Sequence, residues 1–208
     1  MKSKTEAKRQ EILKAAAEVF REVGYERATM SDIRARIGGS KATLYNYFPS
    51  KESLLLEVMH HARELELQAV VAALDPEAED VRKELLRFGQ AFLAVLYSPE
   101  TIATRRLSIA ESRHTEIGRV SFERAVLPAE KKVAEFLRAA MKRGALRTAD
   151  PKIAAMHCLS LLESELLQRM LLGVIEAVKP ETLTSAARRA VTAFLSGYAP
   201  APASAARN

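Results

Sequence analysis

MSDIRARIGGSKATLYNYFPSK, residues 30–51, is the stretch whose reading decides the fold. Ile33 and Ile37 sit four apart, so both face inward on one short helix ending at about residue 37. Thr29 precedes that helix as a good N-cap, with Asp32 three residues on in place of the usual Glu or Gln of a capping box. Gly38 and Gly39 make a turn, Ser40 caps a second short helix over Lys41–Tyr47, and Pro49 stops it. Leu44 and Phe48 share a face and pin this second helix to a small core. That is the layout of a helix-turn-helix.

Outward from the turn, the rest of the chain reads as nearly all helix. Residues 6–23 carry Ile12, Ala16, Val19, Phe20 and Val23 at three- and four-residue steps, and Gly24 ends that pattern. Ser50 caps a long helix from Lys51 to about residue 74. Helical patterns follow at about 78–97, 100–113, 116–126, 129–144, 151–177 and 180–197, with breaks expected at Asp75-Pro76, Ser98-Pro99, Pro128, Gly144, Asp150-Pro151 and Lys179-Pro180. The predicted fold class is all-α. It comprises an N-terminal three-helix helix-turn-helix domain (1–50), a connecting helix (51–74), a C-terminal helical bundle (75–198) and a disordered Pro/Ala-rich tail (199–208).

Composition narrows the function classes. The 48% hydrophobic content of these 208 residues supports a core, and the 28% charged content supports a solvated surface. Net charge is +6, but it is not concentrated: residues 1–61 hold 11 Lys/Arg against 8 Asp/Glu, and the remainder 21 against 18. An anionic partner must therefore be held by a few placed residues rather than by a basic face. A single cysteine, Cys158, excludes an intramolecular disulfide and a multi-Cys zinc site. His60 and His61 adjoin on a helix and face different directions, so no metal site is expected. No P-loop, G-x-S-x-G, H-E-x-x-H or Cys/His cluster at ligand spacing occurs, so no catalytic residues, cofactor or enzyme activity are expected. The charged N-terminus lacks a signal-type apolar run and no stretch has the length of a membrane span, so a cytoplasmic protein without a membrane partner is expected.

The second helix of the turn motif leaves Lys41, Ala42, Thr43, Tyr45, Asn46 and Tyr47 on its outside and ends. Ala42 allows close approach to a groove, Thr43 and Asn46 offer short hydrogen-bonding groups, Lys41 reaches a base edge or a phosphate, and a tyrosine hydroxyl suits a phosphate oxygen. Either tyrosine also reads as a packing residue with an outward hydroxyl. Lys51 opens the next helix, where its charge and the free backbone N–H groups favour a phosphate.

F-x-x-x-G-Y-x-x-A-T, then S-D-I, then S-K-A-T-L-Y-N-Y-F-P-S-K-E-S-L-L resembles, in order, spacing and residue type, the DNA-binding domain of TetR/AcrR-family transcriptional regulators over residues 8–56. The resemblance implies backbone contacts to double-stranded DNA from Thr29 and Ser31. It makes Lys41, Ala42, Thr43, Tyr45, Asn46 and Tyr47 the recognition helix, and Lys51 a phosphate clamp. The chain departs from the family at Gly39, where an apolar residue, often Val, is usual. Residues 103–126, with their R-L-x-x-A-E stretch, resemble the AefR-like subgroup of C-terminal domains.

The resemblance implies that the helical bundle over 75–198 is a ligand-binding and dimerisation bundle, and that the protein is a repressor that binds a palindromic operator as a homodimer and is released by a small-molecule effector. An architectural DNA-binding protein without an effector is the alternative. Candidate pocket residues are Phe88, Phe92, Leu96, Arg106, Ile109 and Met141, although an aromatic at helical spacing reads more simply as core. Arg106 and Glu111 read as an internal salt bridge or as polar pocket groups. His157 reads as a core or interface residue, and Cys158 as a redox sensor only if exposed and acidified. Residues 154–172 are apolar on more than one face, which places the dimer interface at Leu159, Leu162, Leu166, Leu167 and Met170, in a four-helix bundle with a second subunit.

Overall fold

The computed structural model describes residues 2–113 and 117–200. The expected disordered tail lies outside the described residues from 201 onward, as do the side chains of His60 and Glu111. Every regular element among the described residues is helical. The chain divides into two compact units, Met1–Arg63 and Glu64–Asn208.

The first unit holds α1 (Lys2–Val23), α2 (Met30–Ile37), α3 (Lys41–Tyr47) and the first part of α4 (Lys51–Ala72). Its core is Ile12, Leu13, Ala16 and Val19 of α1, Ile33 and Ile37 of α2, Leu44 of α3, Phe48 and Leu54. Residues from all four helices close over one another, so a unit this small still buries a continuous apolar centre. Its turns follow local chemistry. Thr29 Oγ1 accepts from Asp32 N at 3.1 Å and Asp32 Oδ2 accepts from Thr29 N at 2.9 Å, a complete capping box. Gly38 takes φ +65°, the left-handed conformation that glycine adopts without steric cost. Ser40 Oγ accepts from Thr43 N at 3.0 Å to start α3.

The second unit comprises the remainder of α4, α5 (Val81–Leu96), α6 (Pro99–Glu111), α7 (Ile117–Ser121), α8 (Leu127–Lys142), α9 (Pro151–Glu163), α10 (Leu167–Leu171) and α11 (Pro180–Tyr198). Asp80, Ser98 and Asp150 cap α5, α6 and α9 through their side chains. Helices α5, α8, α9 and α11 pack around Leu85, Phe88, Leu93, Phe136, Leu137, Leu162 and Phe194. Gly89 marks a close crossing: a Cβ there would lie 2.8 Å from Leu162 Cδ2 and 3.5 Å from Ala187 Cβ, so α5 meets α9 and α11 where its side chain is absent. Helix α6 is held by Arg105, which pairs with Glu163 at 2.5 Å, and by Arg106, which donates to the carbonyls of Met170 and Leu171.

Two expectations are corrected. Pro128 does not break the chain. A π-helical turn, Phe122–Val126, joins α7 to α8, with Leu127 N donating to Phe122 O, and the helical path continues to Lys142. Proline lacks an N–H and crowds the preceding turn; a widened turn just before it accommodates both deficits. The stretch 151–177 is not one helix. Helix α9 ends at Glu163, where Ser164 N and Oγ both bond Leu161 O, and the chain resumes as the short α10 before Gly173 turns at φ +72°.

Of the expected interface residues, Leu159, Leu162, Leu166 and Met170 are buried within the chain's own unit, and Leu167 is half-buried. The broad apolar character of residues 154–172 comes from enclosure of α9 by α5, α8 and α11 of its own chain. The exposed residues of α9 are Lys152, Ile153, Met156, His157 and Ser160, and Ser164 is exposed just past its end.

Candidate nucleic-acid interface

Helix α3 separates its two faces sharply. Leu44 is fully buried and Phe48, just past the last turn, is 2% exposed. Arg9 of α1 lies 5.5 Å from the Phe48 ring centroid and pairs with Glu57 of α4 at 2.5 Å, which fastens the end of α3 from two directions. Lys41, Ala42, Tyr45 and Asn46 are exposed, and Thr43 is half-buried with its hydroxyl 2.9 Å from that of Ser40. Lys41 Nζ lies 5.6 Å from the Tyr45 ring centroid, so the two form a single outward ridge. Tyr45 is exposed, whereas Tyr47 is half-buried and packs part of its ring on the core of the unit.

Helix α2 presents Thr29 and Ser31, both exposed. The Thr29 hydroxyl is already engaged, donating to Asp32 Oδ2 at 2.7 Å. That bond, followed by the one from the Thr29 backbone, holds the Asp32 carboxyl below its usual range. Arg36 turns back to α1, donating to both Glu22 oxygens at 2.7 and 2.6 Å, so it orients α2 rather than reaching outward. Arg34 is exposed on the same face as Ser31, three residues on, and makes no ion pair among the described residues. The sequence reading passed over it, although the three-residue step from Ser31 is a visible signal.

Lys51 does not stand free at the start of α4. Its ammonium donates to the carbonyls of Tyr25, Ala28 and Glu26 at 2.9, 3.2 and 3.3 Å and lies 4.3 Å from the Tyr25 ring centroid. The Tyr25 hydroxyl donates to Glu52 at 3.4 Å.

In the second unit none of the six expected pocket residues lines either of two surface grooves. Phe88 and Phe92 stack with centroids 5.1 Å apart and, with Leu96, lie in the core. Met141 packs half-buried against that core, Ile109 is 60% exposed, and Arg106 is engaged with the α10 carbonyls. Two surface grooves lie elsewhere. One, of about 410 Å³, is lined by Leu67, Val71, Ala125, Pro128 and Ala129, with Arg124, Lys131, Lys132 and Glu135 at its rim. The other, of about 430 Å³, lies between α9 and α11 beside His157 and Tyr198, whose Nδ1 and hydroxyl share a 2.7 Å hydrogen bond. Burial pushes the Cys158 thiol up to about 12, so it is not an acidified sensor. Among the described residues no cluster of three or more His, Cys, Asp or Glu could hold a metal, and no helix is long and apolar enough to cross a membrane.

Known proteins carry the same architecture. The family described as bacterial regulatory proteins, tetR family, matches residues 12–58, and the AefR-like transcriptional repressor C-terminal domain matches residues 83–200. The chain is 25% identical over 159 residues to the HTH-type transcriptional regulator YhgD of Bacillus subtilis (strain 168), covering 72% of this chain and 78% of that one. Among solved structures, a TetR-family regulator from Mesorhizobium loti MAFF303099 superposes with a TM-score of 0.68 at 28% identity, covering 94% of this chain and 98% of that one. The flavonoid-responsive regulator FrrA does so with a TM-score of 0.61 at 26% identity, covering 94% and 99%. The helix-turn-helix over residues 30–47 and the helical bundle that follows it in sequence thus have one common source: this chain belongs to the TetR family of DNA-binding transcriptional regulators, with an AefR-like C-terminal domain, and not to an enzyme family.

Proposed function

We propose that the protein is a cytoplasmic repressor that binds a palindromic operator as a homodimer and leaves it when a small molecule binds the second unit. The observation that carries this reading is the two-faced α3: Lys41, Ala42, Tyr45 and Asn46 exposed over a buried Leu44. Thr43, Tyr47, Thr29 and Ser31 complete the proposed DNA face, and Arg34 joins it as a phosphate contact. One such helix reads few base pairs, so two copies on a two-fold axis are needed for a specific site. The match to an AefR-like repressor domain supports the sign of regulation.

The surface proposed for the second copy is the outward side of α9, its C-cap and α11: Met156, Ser160, Ser164, Ala193 and Gly197, all exposed. The small residues Ser160, Ser164, Ala193 and Gly197 let helices of two subunits approach closely. The effector is proposed to enter at the groove lined by Leu67, Val71, Ala125 and Pro128. Its apolar floor and its three cations against one carboxylate suit an amphipathic anion. The flavonoid-responsive regulator supports ligand control in a protein of this architecture. Because α4 runs from residue 51 to residue 72, through both units, it is the proposed route by which a ligand-favoured state of one alters the other.

Selection of duplexes from a random-sequence pool by the full chain tests the reading. Recovery of one two-fold-symmetric site, bound by a dimer and released by amphipathic anions, is the expected result. Binding without sequence preference would instead favour the architectural alternative.

A further inference from the structure

Lys51 is set into the first unit in a way that a phosphate clamp does not need. An ammonium has three N–H donors, and here three carbonyls, those of Tyr25, Glu26 and Ala28, lie within 3.3 Å of it. The Tyr25 ring covers it at 4.3 Å, and that ring is itself held edge-on by Phe20 at 5.6 Å and through its hydroxyl by Glu52. One backbone N–H at the start of α4, that of Ser53, already has a partner in Ser50, whose Oγ accepts from it at 3.1 Å. The three carbonyls belong to the loop between α1 and α2. Its last residue, Ala28, is 2% exposed and immediately precedes the α2 N-cap, Thr29.

We propose that Lys51 is a positioning residue for DNA recognition, clamping the α1–α2 loop onto the first turn of α4 and so fixing the entry of α2, rather than a residue that grips a phosphate. The proposal rests on reading the first unit as the DNA reader. Its geometry explains why the residue is a lysine. A compact ammonium on a flexible stem donates to three convergent carbonyls, whereas a planar guanidinium is shaped for a carboxylate or phosphate.

Lys51→Met and Lys51→Arg separate the two roles. Amide exchange of the DNA-free full chain comes first. Both variants are expected to raise exchange at the backbone amides of residues 26–33 by about tenfold while the α1 amides of Ile12–Val19 keep their protection, showing that the unit remains folded. Affinity for the duplex that wild type selects from a random pool comes second. Both variants are expected to lose about tenfold, Arg no less than Met. Wild-type affinity in Lys51→Arg overturns the proposal, because arginine grips a phosphate at least as well as lysine. Unchanged exchange at residues 26–33 in Lys51→Met overturns it too. If wild type selects no duplex, the DNA reading fails while the exchange result still decides the clamp.

Discussion

Thr29 and Asp32 share three hydrogen bonds that use a side chain: each backbone N–H donates to the other's side chain, at 2.9 and 3.1 Å, and the Thr29 hydroxyl donates to Asp32 Oδ2 at 2.7 Å. The start of α2 is therefore closed before any ligand arrives. Contact between the Thr29 hydroxyl and a phosphate requires an exchange of partners, whereas its backbone position is already set. Thr29→Ala is expected to weaken α2 by about 1 kcal/mol at neutral pH, measured by amide exchange in α2. The bonds from Thr29 lower the folded pKa of Asp32, so their stabilisation is complete above the unfolded carboxyl range and fades as pH falls through the folded value. The gap between wild type and Thr29→Ala should accordingly narrow in acid. A gap of constant size from pH 7 to pH 3 would contradict this assignment.

The glycine pair of the turn has two different requirements. Gly38 needs its left-handed φ, so Gly38→Ala should destabilise the first unit by about 1 kcal/mol. Gly39 has an ordinary φ, and a Cβ there would sit 3.7 Å from Ile37 Cδ1, in normal contact. Gly39→Ala should stabilise the unit by about 0.4–1 kcal/mol by narrowing the unfolded chain's freedom. Thermal or urea unfolding followed at the aromatic signals of the first unit distinguishes the two signs.

The sequence was most legible where the physics is local. The caps at Thr29, Ser40 and Ser50, the glycine turn and the inward Ile33, Ile37 and Leu44 follow from spacing and side-chain chemistry over a few residues. It was least legible where a long-range partner decides. Nothing near Lys51 in sequence announces carbonyls at residues 25–28, and a lysine at a helix start reads naturally as an anion site. Leu162 reads as interface on an all-round apolar helix until Gly89 and Ala187 of the same chain are seen to enclose it. Pro128 reads as a stop because the wide turn before it, Phe122–Val126, carries no sequence signal of its own.

Cys158 should be inert in the native protein. It is 2% exposed and burial holds its thiol at about 12, so little thiolate forms at neutral pH. Thiol reagents at pH 7.5 are expected to leave it unmodified until the chain is unfolded. Rapid labelling of the folded protein would contradict the placement of α9 in the core.

Core and interface on α9 should separate under mutation. Leu162→Ala, at a position 1% exposed, should cost about 2–5 kcal/mol in stability and leave the folded protein dimeric. Met156→Glu combined with Ala193→Glu, both exposed in the single chain, should give a folded monomer. Light scattering and thermal melts on the two variants check both outcomes, and a dimer that survives the paired glutamates would place the interface elsewhere.

Everything proposed for the protein depends on α3 being the surface that meets DNA. The direct measurement is the affinity of Lys41→Ala and Asn46→Ala for the duplex that wild type selects, at a temperature where all three proteins are folded. Each side chain is exposed, so neither change should lower the melting temperature noticeably. The account expects each to weaken binding by about 1–3 kcal/mol per recognition helix. Affinity equal to wild type in both variants would contradict it.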